Sequence, residues 1–234
     1  MPVGPDRRDL KRYFPGKRRL NYHLFPLPDL GLFYVKNPKA GCSTILLWLD
    51  RMHTGDHAFR PENIHTDHRL PRPRDLGWEQ LAPMLGGEAF VFSFVRDPLR
   101  RFESAYRDKV TVPGLWRDDV RATLGLSGES DGEVSFEQFL AAVEQQDPIA
   151  QMDPHWRPQH VNLMHPVVQY DHVGRLETFD ADLAKIRELA GLPDTPLEVR
   201  NATARSGASV YDGRPDLVRR VQDLYATDFE LYDY

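Results

Sequence analysis

Three groups of residues in this chain carry side chains suited to chemistry on an anion. The first is Asn37-Pro38-Lys39-Ala40-Gly41-Cys42-Ser43-Thr44, with a lysine, a glycine and two hydroxyls in a few positions. The second is Arg96-Asp97-Pro98, with Ser104 further on. The third is histidine: His65 and His68 between those two groups, and His155 after them. A turn of small residues that opens a helix aims backbone N–H groups and the helix dipole at one point, where an anion can sit. Lys39 adds a mobile positive charge there, and Ser43 and Thr44 add hydroxyl donors. Arg96 suits a fixed phosphate because its planar fork grips two oxygens. Histidine can take a proton near neutral pH.

The flanking residues supply the elements that position these groups. Leu32-Phe33-Tyr34-Val35 precedes the first group and Ile45-Leu46-Leu47-Trp48-Leu49 follows it, which reads as strand, turn, helix. Ala89-Phe90-Val91-Phe92-Ser93-Phe94-Val95 is a nearly continuous apolar run, as in a buried parallel strand. Arg96 leaves its carboxyl end, where open α/β sheets place ligands. Pro98 starts a helix expected to run through Lys109. Ser135-Phe136-Glu137-Gln138 is a capping box opening a helix to about residue 146. Val167-Val168-Gln169-Tyr170 reads as a short strand that continues into a turn at residues 171–174. Residues 180–190 form an amphipathic helix closed by Gly191, and Pro215 opens a last helix to about residue 229. Residues 54–77, 112–134 and 201–213 read as loop-rich. Strands alternating with helices predict an α/β fold with a central, mainly parallel sheet flanked by helices. The expected organisation is a single domain over residues 1–234, with a basic N-terminal arm at residues 1–20.

Composition narrows the function classes. The chain has 234 residues, is 41% hydrophobic and 28% charged, and carries a formal net charge of −5. That balance argues against a nucleic-acid binder built on phosphate contacts. Arg7, Arg8, Lys11, Arg12, Lys17, Arg18 and Arg19 concentrate positive charge in the arm, read as solvated and partly mobile. Cys42 is the single cysteine, so no internal disulfide can form. No apolar run approaches membrane-spanning length and the first residues lack a signal-peptide core, which predicts a soluble, cytoplasmic chain.

The first group is not a nucleotide-triphosphatase loop. That loop places its lysine directly before Ser or Thr, whereas Lys39 lies before Gly41. Taken alone, the segment is either a phosphate cradle or an ordinary strand-to-helix turn with Ser43 as N-cap. The second group, alone, is equally a strand-to-helix corner held by Arg96 and Asp97.

Together the two groups resemble the cofactor-binding signatures of sulfotransferases that use 3′-phosphoadenosine 5′-phosphosulfate (PAPS). The resemblance extends to the carbohydrate sulfotransferase branch. Asp153-Pro154-His155-Trp156-Arg157-Pro158 is similar to its H-W-x-P segment, and residues 170–178 to its Y-D-x-x-G-x-x-E-T strand. Residues 224–234 are similar to its terminal Y-x-x-D-F-E-L-F-x-Y helix. Departures are the low cysteine count, the absence of an apolar run of membrane-spanning length in these residues, and Met164 where members of the branch tend to carry Cys.

The resemblance implies a three-layer, P-loop-like sulfotransferase fold and sulfuryl transfer from PAPS to a carbohydrate hydroxyl. It implies that Lys39, Ala40, Gly41, Cys42, Ser43 and Thr44 hold the 5′-phosphosulfate end, and that Arg96 and Ser104 hold the 3′-phosphate. Lys39 would stabilise the leaving phosphate oxygen, and no metal would be required. His65, in a segment similar to the one bearing the catalytic His of uronyl sulfotransferases, is the first candidate for the base; His68 and His155 are the alternatives. Trp156 is read as core, with Arg157 as a candidate for the acceptor groove. Arg205, Ser206 and Ser209 lie in a loop that could cover the cofactor. Two other functions stay open from the residues: a kinase-like nucleotide enzyme, and a non-catalytic module for anionic glycans.

Overall fold

Four strands form one sheet in the order β1 (Leu24–Leu27), β2 (Leu32–Val35), β3 (Phe90–Val95), β4 (His172–Arg175). In this computed structural model, residues 4–15, 17–126, 132–193, 195 and 207–234 are described. β1 and β2 are antiparallel, while β2–β3 and β3–β4 are parallel, with Tyr34 opposite Phe92 and Phe94 opposite Gly174. The chain is therefore α/β with a mostly parallel sheet, as its alternating pattern predicts. The helices in chain order are α1 (Arg7–Tyr13), α2 (Lys17–His23), α3 (Cys42–Thr54), α4 (Ile64–Asp67), α5 (Pro73–Leu76), α6 (Trp78–Pro83), α7 (Pro98–Ala105), α8 (Leu115–Thr123), α9 (Phe136–Val143), α10 (Gln159–Asn162), α11 (Phe179–Leu189), α12 (Pro215–Leu224) and α13 (Ala226–Leu231). None among the described residues is long and apolar enough to cross a membrane.

The chain divides into two units. The first, Met1–Val95 with Val161–Ala204, holds the sheet. One face of the strands packs Phe25, Tyr34, Phe92 and Phe94 against Ile45, Leu46 and Leu49 of α3 and Leu183 and Ile186 of α11. Gly174 permits close packing, because a Cβ there would lie 2.6 Å from the Phe94 ring and 2.9 Å from Asp182 Cβ. The second unit, Arg96–His160 with Arg205–Tyr234, has its own aromatic core. There Phe102 and Phe139 stack with centroids 4.6 Å apart, and Trp156 and Tyr225 complete the cluster.

Several elements depart from expectation for identifiable reasons. β1 carries Pro26 and shows no strand signal, but it lies at the edge of the sheet, where a missing N–H is tolerated. The last strand spans His172–Arg175, not residues 167–170, which turn with Val167 and Val168 N–H on the Met164 carbonyl. α8 falls inside a stretch read as loop. Its buried face is Arg117, Val120 and Arg121, so no apolar stripe marks it. The two guanidiniums instead satisfy carbonyls: Arg117 that of Val110 at 2.9 Å, and Arg121 those of Gly132 and Leu126 at 2.9 and 3.0 Å. Within the N-terminal arm α1 is helical, and it is anchored by the buried Leu10 and Phe14. α7 continues as a wider turn over Tyr106–Val110, and the final helix breaks at Tyr225.

Candidate active site

The turn after β2 is built on buried polar contacts. Asn37 is fully buried, donates from Nδ2 to the Phe94 carbonyl at 3.0 Å, and accepts from Asn162 Nδ2 at 3.3 Å. Ser93 Oγ donates to the Val35 carbonyl at 2.7 Å, so the ends of β2 and β3 are tied together just before the turn. Lys39 and Gly41 both adopt left-handed backbone, φ 69° and 78°. A non-glycine residue held in that region marks a locally constrained backbone. α3 opens at Cys42 with Gly41 in the N-cap position, so Ser43 is not the cap. A Cβ on Gly41 would come within 3.0 Å of the Leu176 side chain. The first-turn amides of α3 and the lysine therefore share a turn that the surrounding packing shapes, as an anion cradle requires.

His65 is brought to this turn. Its Nε2 lies 3.0 Å from Ser43 Oγ. The segment that carries it is fixed at both ends. Asn63 Oδ1 accepts from the His65 N–H at 3.0 Å, and Asp67 Oδ2 accepts from the Asn63 N–H at 2.9 Å. Beyond α4, the fully buried Asp50 of α3 takes the Arg69 backbone N–H at 2.6 Å and its Nε and Nη2 at 3.0 and 2.6 Å. The Arg69 guanidinium also lies over the Phe59 ring, 3.8 Å from its centroid. Asp50 is fully buried while the Arg69 side chain stays 37% exposed, and the backbone bond together with the two guanidinium bonds ties the chain after α4 to α3.

His68 has a different environment. It is buried, its ring stands edge-on to Phe25 at 5.2 Å, and Nε2 accepts from Arg72 Nη2 at 3.0 Å. Burial first, then the charges of Arg72 and Lys36, push its pKa down to about 4. His155, in the second unit, is 2.5 Å from Asp153 Oδ1 and stands edge-on to Trp116. His65 is thus bonded to the Lys39 turn, while His68 is engaged by Arg72 and His155 by Asp153.

In the second unit, Arg96 begins the chain after β3 and its backbone is held by one side chain. Gln159 Oε1 accepts from the Arg96 N–H at 3.0 Å, and Gln159 Nε2 donates to the Arg96 carbonyl at 2.8 Å. Gln159 and His160 are themselves fixed by the fully buried Asp228, which accepts from their backbone N–H groups at 2.6 and 2.9 Å. Asp97 caps α7 through the Arg100 N–H at 2.8 Å. Ser104 stays half-buried on that helix, beside the inward residues Arg101, Phe102 and Ala105.

Residues 22–234 match the model of the sulfotransferase family. The chain belongs to that family. Mouse and human carbohydrate sulfotransferase 14 are 32% and 30% identical to this sulfotransferase-family chain over 93% of its length, and the match covers 61% of each. Human carbohydrate sulfotransferase 9 is 25% identical over 87% of the chain and 48% of its own length. The chain thus spans less than two thirds of these relatives. No solved structure matches it at a significant level.

Within this family member, the structure gathers residues 39–44 and His65 in the first unit. It places Arg96, Ser104 and His155 in the second. Trp156 is core, as expected: it is fully buried and donates to Gln146 at 2.9 Å. Arg157 does not line a groove. It too is fully buried, with Nε on the Pro148 carbonyl at 2.7 Å and Nη2 on that of Ile149 at 2.8 Å. Arg205 and Ser206 lie outside the described residues, while Ser209 Oγ is 3.1 Å from Glu103 Oε2. Asn37, Asp50, Gln159 and Asp228 are positioning residues that the sequence reading missed. Asn37, a polar residue two positions after an apolar strand, carried the nearest thing to a signal.

Proposed function

We propose that the chain transfers a sulfuryl group from PAPS to a carbohydrate hydroxyl, without a metal and with His65 as the general base. Family membership supports the reaction class, and the carbohydrate sulfotransferases among the relatives support a carbohydrate acceptor. The observation that carries the assignment is the 3.0 Å contact between His65 Nε2 and Ser43 Oγ, which supports His65 as the group that serves the Lys39 turn.

The residues divide the work in the following way. The amides and hydroxyls of residues 40–44 hold the 5′-phosphate, and Lys39 stabilises the negative charge that grows on its bridging oxygen. Arg96 and Ser104 hold the 3′-phosphate, which distinguishes PAPS from ordinary adenine nucleotides. His65 Nε2 takes the proton from the acceptor hydroxyl as the new O–S bond forms and the S–O bond to the 5′-phosphate breaks. His65 must enter this step neutral. Ser43 donating its hydroxyl hydrogen to Nε2 would hold the ring in that form between turnovers. His68, kept neutral by burial but engaged by Arg72, is less suited to the step.

A thermal-shift comparison tests the donor class. The expected result is a rise in Tm with 3′,5′-bisphosphoadenosine, the desulfated product, and little with adenosine 5′-monophosphate. A ligand at about 100 times its Kd stabilises by about 2.7 kcal/mol. Stabilisation by magnesium and adenosine triphosphate, with none by the bisphosphate, would instead indicate a kinase-like enzyme.

A further inference from the structure

The second unit exposes an apolar tip that its core does not use. Val112, Leu115 and Trp116, at the start of α8 and in the turn before it, are 50%, 85% and 37% exposed. The inward face of α8 is Arg117, Val120 and Arg121, so neither Leu115 nor Trp116 belongs to the face that seats the helix. One exposed leucine says little, but three large apolar side chains in one short stretch make a patch suited to a ligand. The indole is nevertheless held, and by polar groups. Its Nε1–H donates to Asp153 Oδ2 at 3.2 Å. Asp153 Oδ1 accepts from the His155 backbone N–H at 3.0 Å and from its Nδ1 at 2.5 Å. The imidazole stands edge-on to the indole, with centroids 5.5 Å apart, and Lys109 Nζ lies 4.2 Å from the centroid of the Trp116 ring.

A ring that only filled space would sit among apolar neighbours. This one is oriented at the surface by a carboxylate, an imidazole and an ammonium, so the cost of ordering it is met before any ligand arrives. The surrounding charges select among ligands. Asp108, Asp118 and Asp119 are exposed close to the patch in the chain, and the Asp153 side chain is 27% exposed. An acyl layer or a second apolar surface would have to dehydrate these carboxylates, which is costly. The same carboxylates disfavour an anionic ligand. A neutral sugar ring meets both conditions: its C–H face packs on an indole, and its hydroxyls donate to carboxylates.

We propose that Trp116 is the platform for a neutral pyranose residue of the acceptor glycan. Asp153, His155 and Lys109 are positioning residues that set the angle of the indole, which gives His155 a role without proton transfer. The platform lies in the unit that also carries Arg96 and Ser104. It rests on the carbohydrate acceptor in the function proposed above.

The test is a printed array of neutral and acidic glycans probed with the full chain in saturating 3′,5′-bisphosphoadenosine. Calorimetric titration of the neutral glycan bound most tightly then compares the variants. Trp116→Ala should weaken that glycan by roughly tenfold, the scale of one aromatic contact, and Trp116→Phe should recover most of the loss. Affinity for the bisphosphate should stay at the wild-type value in both variants, which also shows that they fold. Three results would overturn the platform: no neutral glycan bound by a wild type that binds the bisphosphate, equal glycan affinity in Trp116→Ala, or a parallel loss of bisphosphate affinity in that variant. A wild type that binds a neutral glycan through Trp116 but does not bind the bisphosphate would support the platform and count against the sulfotransferase function itself.

Discussion

The carboxamide of Gln159 closes on both backbone groups of Arg96, donating to its carbonyl at 2.8 Å and accepting from its N–H at 3.0 Å. The two residues are 63 positions apart. The bond pair fixes the point at which the chain leaves β3, and Asp228 fixes Gln159 in its turn. Gln159 is thus a positioning residue for the arginine assigned to the 3′-phosphate. Gln159→Leu should weaken binding of 3′,5′-bisphosphoadenosine by roughly tenfold, the value of about one charge-assisted hydrogen bond. Binding of adenosine 5′-monophosphate should change little. Titration calorimetry with both nucleotides measures this, and equal losses for the two would assign Gln159 a purely structural role.

In the proposed function His65, in contact with Ser43, is the base and Ser43 a binding residue, and substitution distinguishes the two roles. His65→Ala should lower kcat by about 10²–10⁴, the usual worth of a general base, with nucleotide affinity nearly unchanged. It should also remove the acidic limb of the pH–rate profile, because only the neutral ring can accept a proton. Steady-state kinetics from pH 5 to 9 are the measurement. A variant that retains both the rate and the limb would transfer the role to another group.

His68 makes a prediction about stability. Its pKa, depressed to about 4, is set by burial and by Arg72 and Lys36, with Asp50 opposing them. The unfolded chain binds a proton at this position near pH 6.5, and the folded chain does not. The stability is therefore intact above pH 6.5 and is lost as pH falls toward 4. Between pH 7 and 4.5 the wild type should lose about 2 kcal/mol more than His68→Leu in urea unfolding. Equal losses would mean that His68 keeps its ordinary pKa in the fold.

The parts of this molecule legible in its sequence are the local ones. Residues 32–49 announce a strand, a turn and a helix because apolar period changes across Gly41, and β3 is marked by its unbroken apolar run. Pro98 and Ser135 mark helix starts through backbone chemistry confined to one turn. The illegible parts depend on distant partners. α8 hides its inward face behind Arg117 and Arg121, whose guanidiniums satisfy carbonyls in the turns around it. Arg157 looks like a surface cation until its two carbonyl acceptors are known. Asp228 reads as one acid in an aromatic helix, although it anchors Gln159 and His160 nearly 70 residues earlier in the chain. Lys36 gives no sign of burial, since a lysine at the end of a strand is usually solvated.

The central claim is tested most directly by incubating the chain with PAPS labelled at the sulfuryl group and a panel of glycans, in excess chelator. The account predicts label on a glycan, retained without metal, and a loss of at least roughly a hundredfold in Lys39→Ala, as for the removal of one donor that stabilises developing charge. Transfer that persists in Lys39→Ala, or the absence of any transfer by a folded wild type that binds 3′,5′-bisphosphoadenosine, would contradict it.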